Sequence, residues 1–188
     1  MGGNRKKRRT YPDVPERLAS AIVDNHTHLP VRGDRDYAAL SFDVASGVEE
    51  GAGEDSQGSI PWHVARMEAA GVRGAITCGC DIPTLQPTVA LAERWPSLSA
   101  AIGIHPNEAP LHRGITEESP DGMAHGLDPW HRDLSLEDAV AEVAALAVSA
   151  DVVAIGETGL DFYRTAAAGR AAQEEAFRMH IELAKDLD

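Results

Sequence analysis

Cysteine is nearly absent: Cys78 and Cys80 are the only two. They stand two apart in a segment of strand character, where side chains point the same way but diverge too far to bond without distorting the backbone. A disulfide framework is excluded. Long apolar runs are missing too. No stretch of about 18 apolar residues offers a membrane-spanning helix, and the basic run Arg5, Lys6, Lys7, Arg8 and Arg9 is not followed by the apolar segment of a signal peptide. A cytoplasmic protein with no membrane partner is expected. Basic residues are scarce: 17 against 30 acidic ones, for a net charge of −13. Five of the 17 sit in that N-terminal run, leaving 12 for the rest of the chain. A groove gripping many phosphates through lysine and arginine needs the opposite balance, so chemistry on a polyanion would have to rely on the local charge of a metal ion.

What is present suffices for one domain, since 188 residues that are 43% hydrophobic bury most of the surface their unfolded chain exposes. Residues 1–19 read as a basic, disordered tail and 20–188 as the folded unit. Four short apolar segments, 21–28, 72–79, 98–105 and 152–157, read as buried strands, each with a helical pattern downstream. The first, 59–70, sets Ile60, Val64 and Met67 on one face and ends at Gly71. The second covers 85–94 and stops before Pro96. The third starts at Ser135, with Asp138 three residues on as in a capping box, and runs to about residue 150. The fourth, 171–187, aligns Ala176, Phe177, His180, Ile181 and Ala184. Repeated strand–helix units with apolar strands signify a parallel sheet with right-handed crossovers. That pattern fits an open doubly wound sheet and half of an eight-stranded barrel equally well. Two long segments, 31–58 and 106–134, leave from carboxyl ends of strands, where α/β proteins keep their sites. The second, with four prolines and three histidines, reads as a lid or substrate loop.

Chemistry concentrates at the strand ends. Asp24-Asn25-His26-Thr27-His28 closes the first strand, where His26 and His28 share a face at a spacing suited to gripping one cation, with Asp24 placed to orient them. The third strand ends in Gly103-Ile104-His105-Pro106. The fourth runs into Gly156-Glu157-Thr158-Gly159-Leu160-Asp161, where a bare carboxylate over apolar surroundings costs several kcal/mol unless paired or bound to a cation. Each feature alone is compatible with an ordinary polar strand end. Together they point to one shared site, a metal-dependent hydrolase in which the ion activates water and polarises a phosphoryl or carbonyl oxygen.

These motifs, with residues 173–187, occur in family order and resemble the TatD deoxyribonuclease family over about residues 20–188. Gly-Glu-x-Gly-Leu-Asp is the most discriminating of them. The resemblance implies a (β/α)8 TIM barrel of metal-dependent hydrolase type and two divalent metal ions (Zn, Mg or Mn). It also implies hydrolysis of DNA phosphodiester bonds, often as a 3′-to-5′ exonuclease on single strands or 3′ ends. By that resemblance His26 and His28 bind one ion, Glu157 bridges both, and His105 binds or positions the substrate phosphate.

The family pattern continues with two strand-end histidines for the second ion and a strand-end aspartate as general base. This chain has none of them. The chain is therefore expected to cover the first four β/α units of the barrel, to hold an incomplete second metal site, to be weakly active or inactive, and to self-associate through exposed edges. Two other functions compete: a barrel hydrolase of lactones, amides or phosphotriesters, and a non-catalytic fragment that needs a partner. Many such hydrolases use a modified lysine on the fourth strand; Glu157 in its place favours the nuclease. His63 and His180 read as helix histidines without a ligand role. His112, His125 and His131 are candidates for substrate contact, and the two cysteines receive no role.

Overall fold

The computed structural model describes residues 11–31 and 58–187. The basic run at 5–9 and almost all of 31–58 lie outside them. The elements are β1 (Ile22–Thr27), α1 (Ile60–Ala69), β2 (Val72–Gly79), α2 (Ile82–Arg94), β3 (Leu98–Ile102), α3 (Pro129–Asp133), α4 (Leu136–Leu146), β4 (Val152–Ile155) and α5 (Arg170–Asp186). All neighbouring strands pair in parallel. Their spatial order, β1-β2-β3-β4, is the sequence order. A doubly wound sheet reverses direction at a switch point; strands laid down consecutively are successive staves of a barrel, so the topology settles the choice left open by periodicity.

The main core forms where α2 and α4 cover β3. Ala100, Ile102 and Ile104, alternate residues of one sheet face, pack with Ile82, Leu85, Val89, Leu136, Val140 and Val143. Capping sets the helix starts. Ser135 Oγ accepts the Asp138 N–H at 3.1 Å, as the sequence predicts. α2 begins three residues earlier than its apolar stripe suggests, because Asp81 caps it by accepting the Thr84 N–H at 3.2 Å and Pro83 occupies the first turn, where no N–H is needed. Only β2 and β3 are buried as expected. β1 and β4 flank the sheet, leaving Ile22, Val23 and Val153 46%, 46% and 54% exposed. The stripe on α5 is likewise displaced: Ala172, Gln173, Ala176 and His180 are buried, whereas Ile181 and Ala184 are exposed. Residues 11–18, which the sequence places in the tail, lie along α1: the Tyr11 ring packs tilted against Trp62, centroids 4.7 Å apart, and the Leu18 N–H reaches Ala70 O at 3.0 Å.

Two buried polar side chains of α5 hold the loops that follow β3 and β4. Gln173 is fully buried. Its Oε1 accepts the Asp161 N–H at 2.8 Å, and its Nε2 donates to Pro106 O at 2.8 Å and Thr165 Oγ1 at 2.6 Å. His180 Nδ1 donates to Ala176 O at 2.6 Å and Nε2 accepts the Ile104 N–H at 3.0 Å, so the ring is neutral with both nitrogens used.

Replacing Gln173 with Ala orphans the Asp161 N–H and the Pro106 carbonyl, and urea unfolding should show a loss of about 2–4 kcal/mol. Burial holds the His180 pKa below its ordinary 6.5. The folded state therefore resists protonation, and this group's stabilisation is complete above about pH 6.5 and lost as pH falls. Because Gln keeps an acceptor and does not titrate, His180→Gln should flatten the dependence of Tm on pH between about pH 7.5 and 5.5. An unchanged slope would assign the acid sensitivity to other groups.

Candidate metal centre

Parallel pairing delivers all four strand exits to one edge, and local bonds fix each of them. Thr77, buried in β2, accepts the Leu29 N–H at 3.2 Å and so holds the chain just past His28. The Asp24 carboxylate accepts the His26 backbone N–H at 3.1 Å, which fixes the backbone leading into His26. Beyond β3 the ladder continues, with Gly103 N–H to Gly79 O at 3.1 Å and His105 N–H to Cys80 O at 2.9 Å. Gly103 is required by close approach: a Cβ there would lie 3.0 Å from Glu157 O and 3.1 Å from Gly156 Cα. Gly156 N–H bonds to Ile102 O at 2.9 Å, and the Gly156–Glu157 peptide is cis. Gly159 takes φ +135°, and Asp161 Oδ1 accepts the Tyr163 and Arg164 N–H groups at 3.1 and 2.9 Å. The last two acceptor bonds give the aspartate of the Gly-Glu-x-Gly-Leu-Asp motif a structural task, turning the chain away from the site.

Glu157 is the centre on which the other groups converge. His26 Nε2 stands 2.9 Å from its Oε1. His28 Nε2 and His105 Nε2 each stand 3.7 Å from its Oε2. Ligand atoms of His26, His28 and Glu157 all lie within 4.8 Å of one another, and the two imidazoles are 5.2 Å apart, edge to face. Both are half exposed and the carboxylate about a quarter exposed, so the cluster is accessible from solvent. Two imidazoles and a carboxylate suit a borderline divalent cation such as Zn or Mn.

His105 differs from the other two histidines. Its Nδ1 accepts the Asn107 N–H at 3.1 Å, so the neutral ring carries its proton on Nε2, the atom facing Glu157. That tautomer donates hydrogen bonds and offers no lone pair to a cation. Cys80, to which the sequence alone assigns no role, donates through Sγ to Glu157 Oε2 at 3.1 Å. Burial and the Glu157 carboxylate both raise its thiol pKa. Cys78 sits behind His26, 3.9 Å from Nδ1, and burial raises its pKa as well. Nothing in the spacing Cys-Gly-Cys marks one thiol as facing the carboxylate. The alternation of side chains does place residue 80 on the same face as residue 78, and the signal available was its position one residue past the strand end.

The loop histidines do not all lie where substrate contact would need them. His112 and His131 are buried. His131 Nε2 pairs with Glu108 Oε2 at 2.7 Å, and His112 Nδ1 bonds to Leu134 O at 3.0 Å, with burial lowering the His112 pKa. They fasten the loop 106–134 to the core, where Ala109 and Trp130 also pack. Only the stretch around 115–127 is mostly exposed. His63, its pKa lowered by burial and by Arg66, packs against Tyr11 and Trp62, and His180 is the core residue described above.

Residues 23–188 match the protein family described as TatD related DNase. The chain is 35% identical over 124 residues to the 3′-5′ ssDNA/RNA exonuclease TatD of Salmonella typhimurium, an alignment covering 66% of this chain and 38% of the relative. It is 30% identical over 168 residues to the uncharacterized metal-dependent hydrolase TatD of Mycobacterium tuberculosis, covering 87% and 47%. Among solved structures, a TatD-family hydrolase from Entamoeba histolytica superposes with TM-score 0.55 at 19% identity over 90% of this chain and 47% of that one. A TatD homologue from Escherichia coli K12 superposes with TM-score 0.51 at 24% identity over 89% and 48%. The chain thus spans less than half the length of these relatives. Its four consecutive parallel β/α units have the fold of the corresponding part of a TatD barrel, and by the family match over 23–188 the chain belongs to the TatD-related DNase family.

Proposed function

We propose that this chain carries the first-ion half of a divalent-metal-dependent phosphodiesterase centre that acts on single-stranded nucleic acid ends. The observation that carries the reading is the convergence of His26, His28 and Glu157 within 4.8 Å on strand ends that are far apart in sequence. His26 and His28 would hold the cation through their imidazole nitrogens, and Glu157 would supply its anionic ligand. A bound cation supplies Lewis acidity and neutralises phosphate charge. His105, with its proton on Nε2, is set to donate to a phosphate oxygen, and its Asn107 bond keeps that proton aimed at the site. Zn or Mn fits this donor set better than Mg, and the identity of the relatives as exonucleases on ssDNA and RNA supports a nucleic-acid substrate.

The turn after Glu157 supports a single-stranded substrate. Leu160, Phe162 and Tyr163 are exposed large side chains, and Arg170 lies over the Phe162 ring at 4.7 Å. Exposed aromatics next to a cation can stack bases without sequence preference. Self-association is supported by surface chemistry alone: apolar Ile22, Val23 and Val153 on the two outer strands, and an open groove of about 520 Å³ between β4 and residues Ala184 and Leu187. No helix among the described residues is long and apolar enough to cross a membrane.

Nucleotide release from single-stranded DNA by the 188-residue chain should be slow, because the group of mutually close ligand atoms among the described residues contains no second carboxylate to act as base. Cation binding is the sharper readout. Equilibrium dialysis with Zn or Mn should show binding that weakens on the order of 100-fold in Glu157→Ala. Equal binding by the variant would remove the proposed centre. Tyr163→Ala should weaken single-stranded DNA binding, followed by fluorescence anisotropy, by about 1–3 kcal/mol, with cation affinity unchanged.

A further inference from the structure

We propose that the cleft between the loops leaving β3 and β4 is a second phosphate subsite, seating one oxygen of a phosphodiester with Arg164 as its charge and His125 as its second donor. The inference rests on the proposed function and extends it along the substrate strand.

The cleft is built from two loops that are bonded to each other. Glu117 Oε2 accepts the Ala168 N–H at 3.1 Å, and Gln173 Nε2 bonds to both Pro106 O and Thr165 Oγ1. Between these ties Asn107, Thr116, His125, Arg164 and Thr165 surround a space of about 20 Å³. That volume holds one water-sized group, so a single phosphate oxygen enters and the rest of the phosphate stays at the mouth. The cleft adjoins the metal centre. Asn107, which lines it, donates its backbone N–H to His105 Nδ1, and the other nitrogen of that ring stands 3.7 Å from Glu157.

Neither donor is fully used. His125 lines the cleft, and its Nε2 is buried without a hydrogen-bond partner among the described residues. Buried polar atoms are nearly always satisfied, so this nitrogen marks a place for an atom that a ligand brings. Arg164 is anchored by its backbone, whose N–H donates to Asp161 Oδ1 at 2.9 Å, while its side chain is 60% exposed. Its Nε lies 3.9 Å from Asp121 Oδ2, too far for a hydrogen bond, and Asp121 already accepts from Ser119 Oγ and the Met123 N–H. The planar guanidinium therefore keeps donors for a phosphate. Tyr163, the residue before it, is exposed as well, so a base and its phosphate meet neighbouring side chains. Charge selects the ligand. Glu117 lines the cleft and Asp121 stands beside Arg164, and both carboxylates oppose a doubly charged phosphate more than a singly charged diester. The subsite therefore belongs to the backbone of a strand rather than to free phosphate.

Fluorescence anisotropy of the full chain with labelled oligodeoxythymidylate, over a series of salt concentrations in EDTA and in Mn²⁺, tests the assignment. Arg164→Ala should weaken binding about 10-fold and reduce the slope of log K against log salt by about 0.7, the value of one single-strand phosphate contact. Arg164→Lys should keep the slope. Arg178→Ala, at an exposed arginine on α5, should change neither quantity. His125→Ala should weaken binding and His125→Gln, which retains an N–H donor, should restore it, with circular dichroism confirming each fold. An unchanged slope in Arg164→Ala, unchanged affinity in His125→Ala, or no binding of the strand by the parent chain would overturn the subsite. Displacement of the strand by inorganic phosphate but not by sulfate at equal ionic strength would also overturn it, by assigning the cleft to the free ion. Equilibrium dialysis should show the same Mn²⁺ binding in parent and variants; a loss in the variants would mean that they act through the metal centre, against the proposal. A parent chain that shows the Arg164-dependent slope yet binds no Mn²⁺ would leave the subsite standing and overturn the cation centre.

Discussion

The structure depends on one constraint: four strands laid side by side in sequence order, all running the same way. Parallel strands need a crossover between each pair, so α1, α2 and α4 are obligatory, and every strand then finishes at the same edge. That single fact collects His26 and His28 from β1, Cys80 from β2, His105 from β3 and Glu157 from β4, residues separated by as many as 131 positions in the chain. It also explains why the apolar residues concentrate on β3. An inner strand is covered by helices and neighbours, and β3 exposes almost none of its surface, while β1 and β4 at the margins stay open.

Bringing polar groups to one edge creates a second requirement, since the loops leaving that edge must be held without filling it. The chain meets this by burying polar side chains of α5 beneath the site. Gln173 binds the segments after β3 and β4 together through three strong hydrogen bonds, and His180 takes up the Ile104 N–H just before His105. Burying such groups is costly unless each is satisfied, and here they are. The hydrogen bond between His131 Nε2 and Glu108 Oε2 does the same for the far end of the 106–134 loop.

The sequence shows the parallel architecture and the histidine and carboxylate members of the site because both leave local traces: apolar runs of strand length, and ligand-type residues just beyond them. The bounds of β2 are legible to the residue, since Gly71 and Gly79 bracket an apolar run. What periodicity misses has identifiable causes. The start of α2 is hidden by Pro83 and Pro87, which weigh against helix although the first turn tolerates the first of them. The buried face of α5 is rotated from the apparent stripe because Gln173, a polar residue, is among its most buried positions. His112 and His131 look like active-site residues for sitting in a polar loop, but their burial depends on tertiary packing against Trp130 and Leu134 that no local pattern announces. Cys80 is the same case reversed. Its contact with Glu157 joins residues 77 positions apart and exists only once the strands are in register.

The charge of the chain then acquires a physical meaning. An acidic protein repels nucleic acid at long range, and the carboxylate at the heart of the site adds to that repulsion for as long as only imidazoles and a thiol surround it. Those groups stand close around Glu157, with the Cys80 thiol donating to Oε2 and His26 Nε2 2.9 Å from Oε1. A divalent cation bound there, as proposed, would reverse the sign of the local field. Under the proposed function, such a site would gain its attraction for a phosphate only with the cation, which fits a chain with 17 basic against 30 acidic residues. The aromatic turn after Glu157 fits the same logic, because stacking holds a base without needing positive charge.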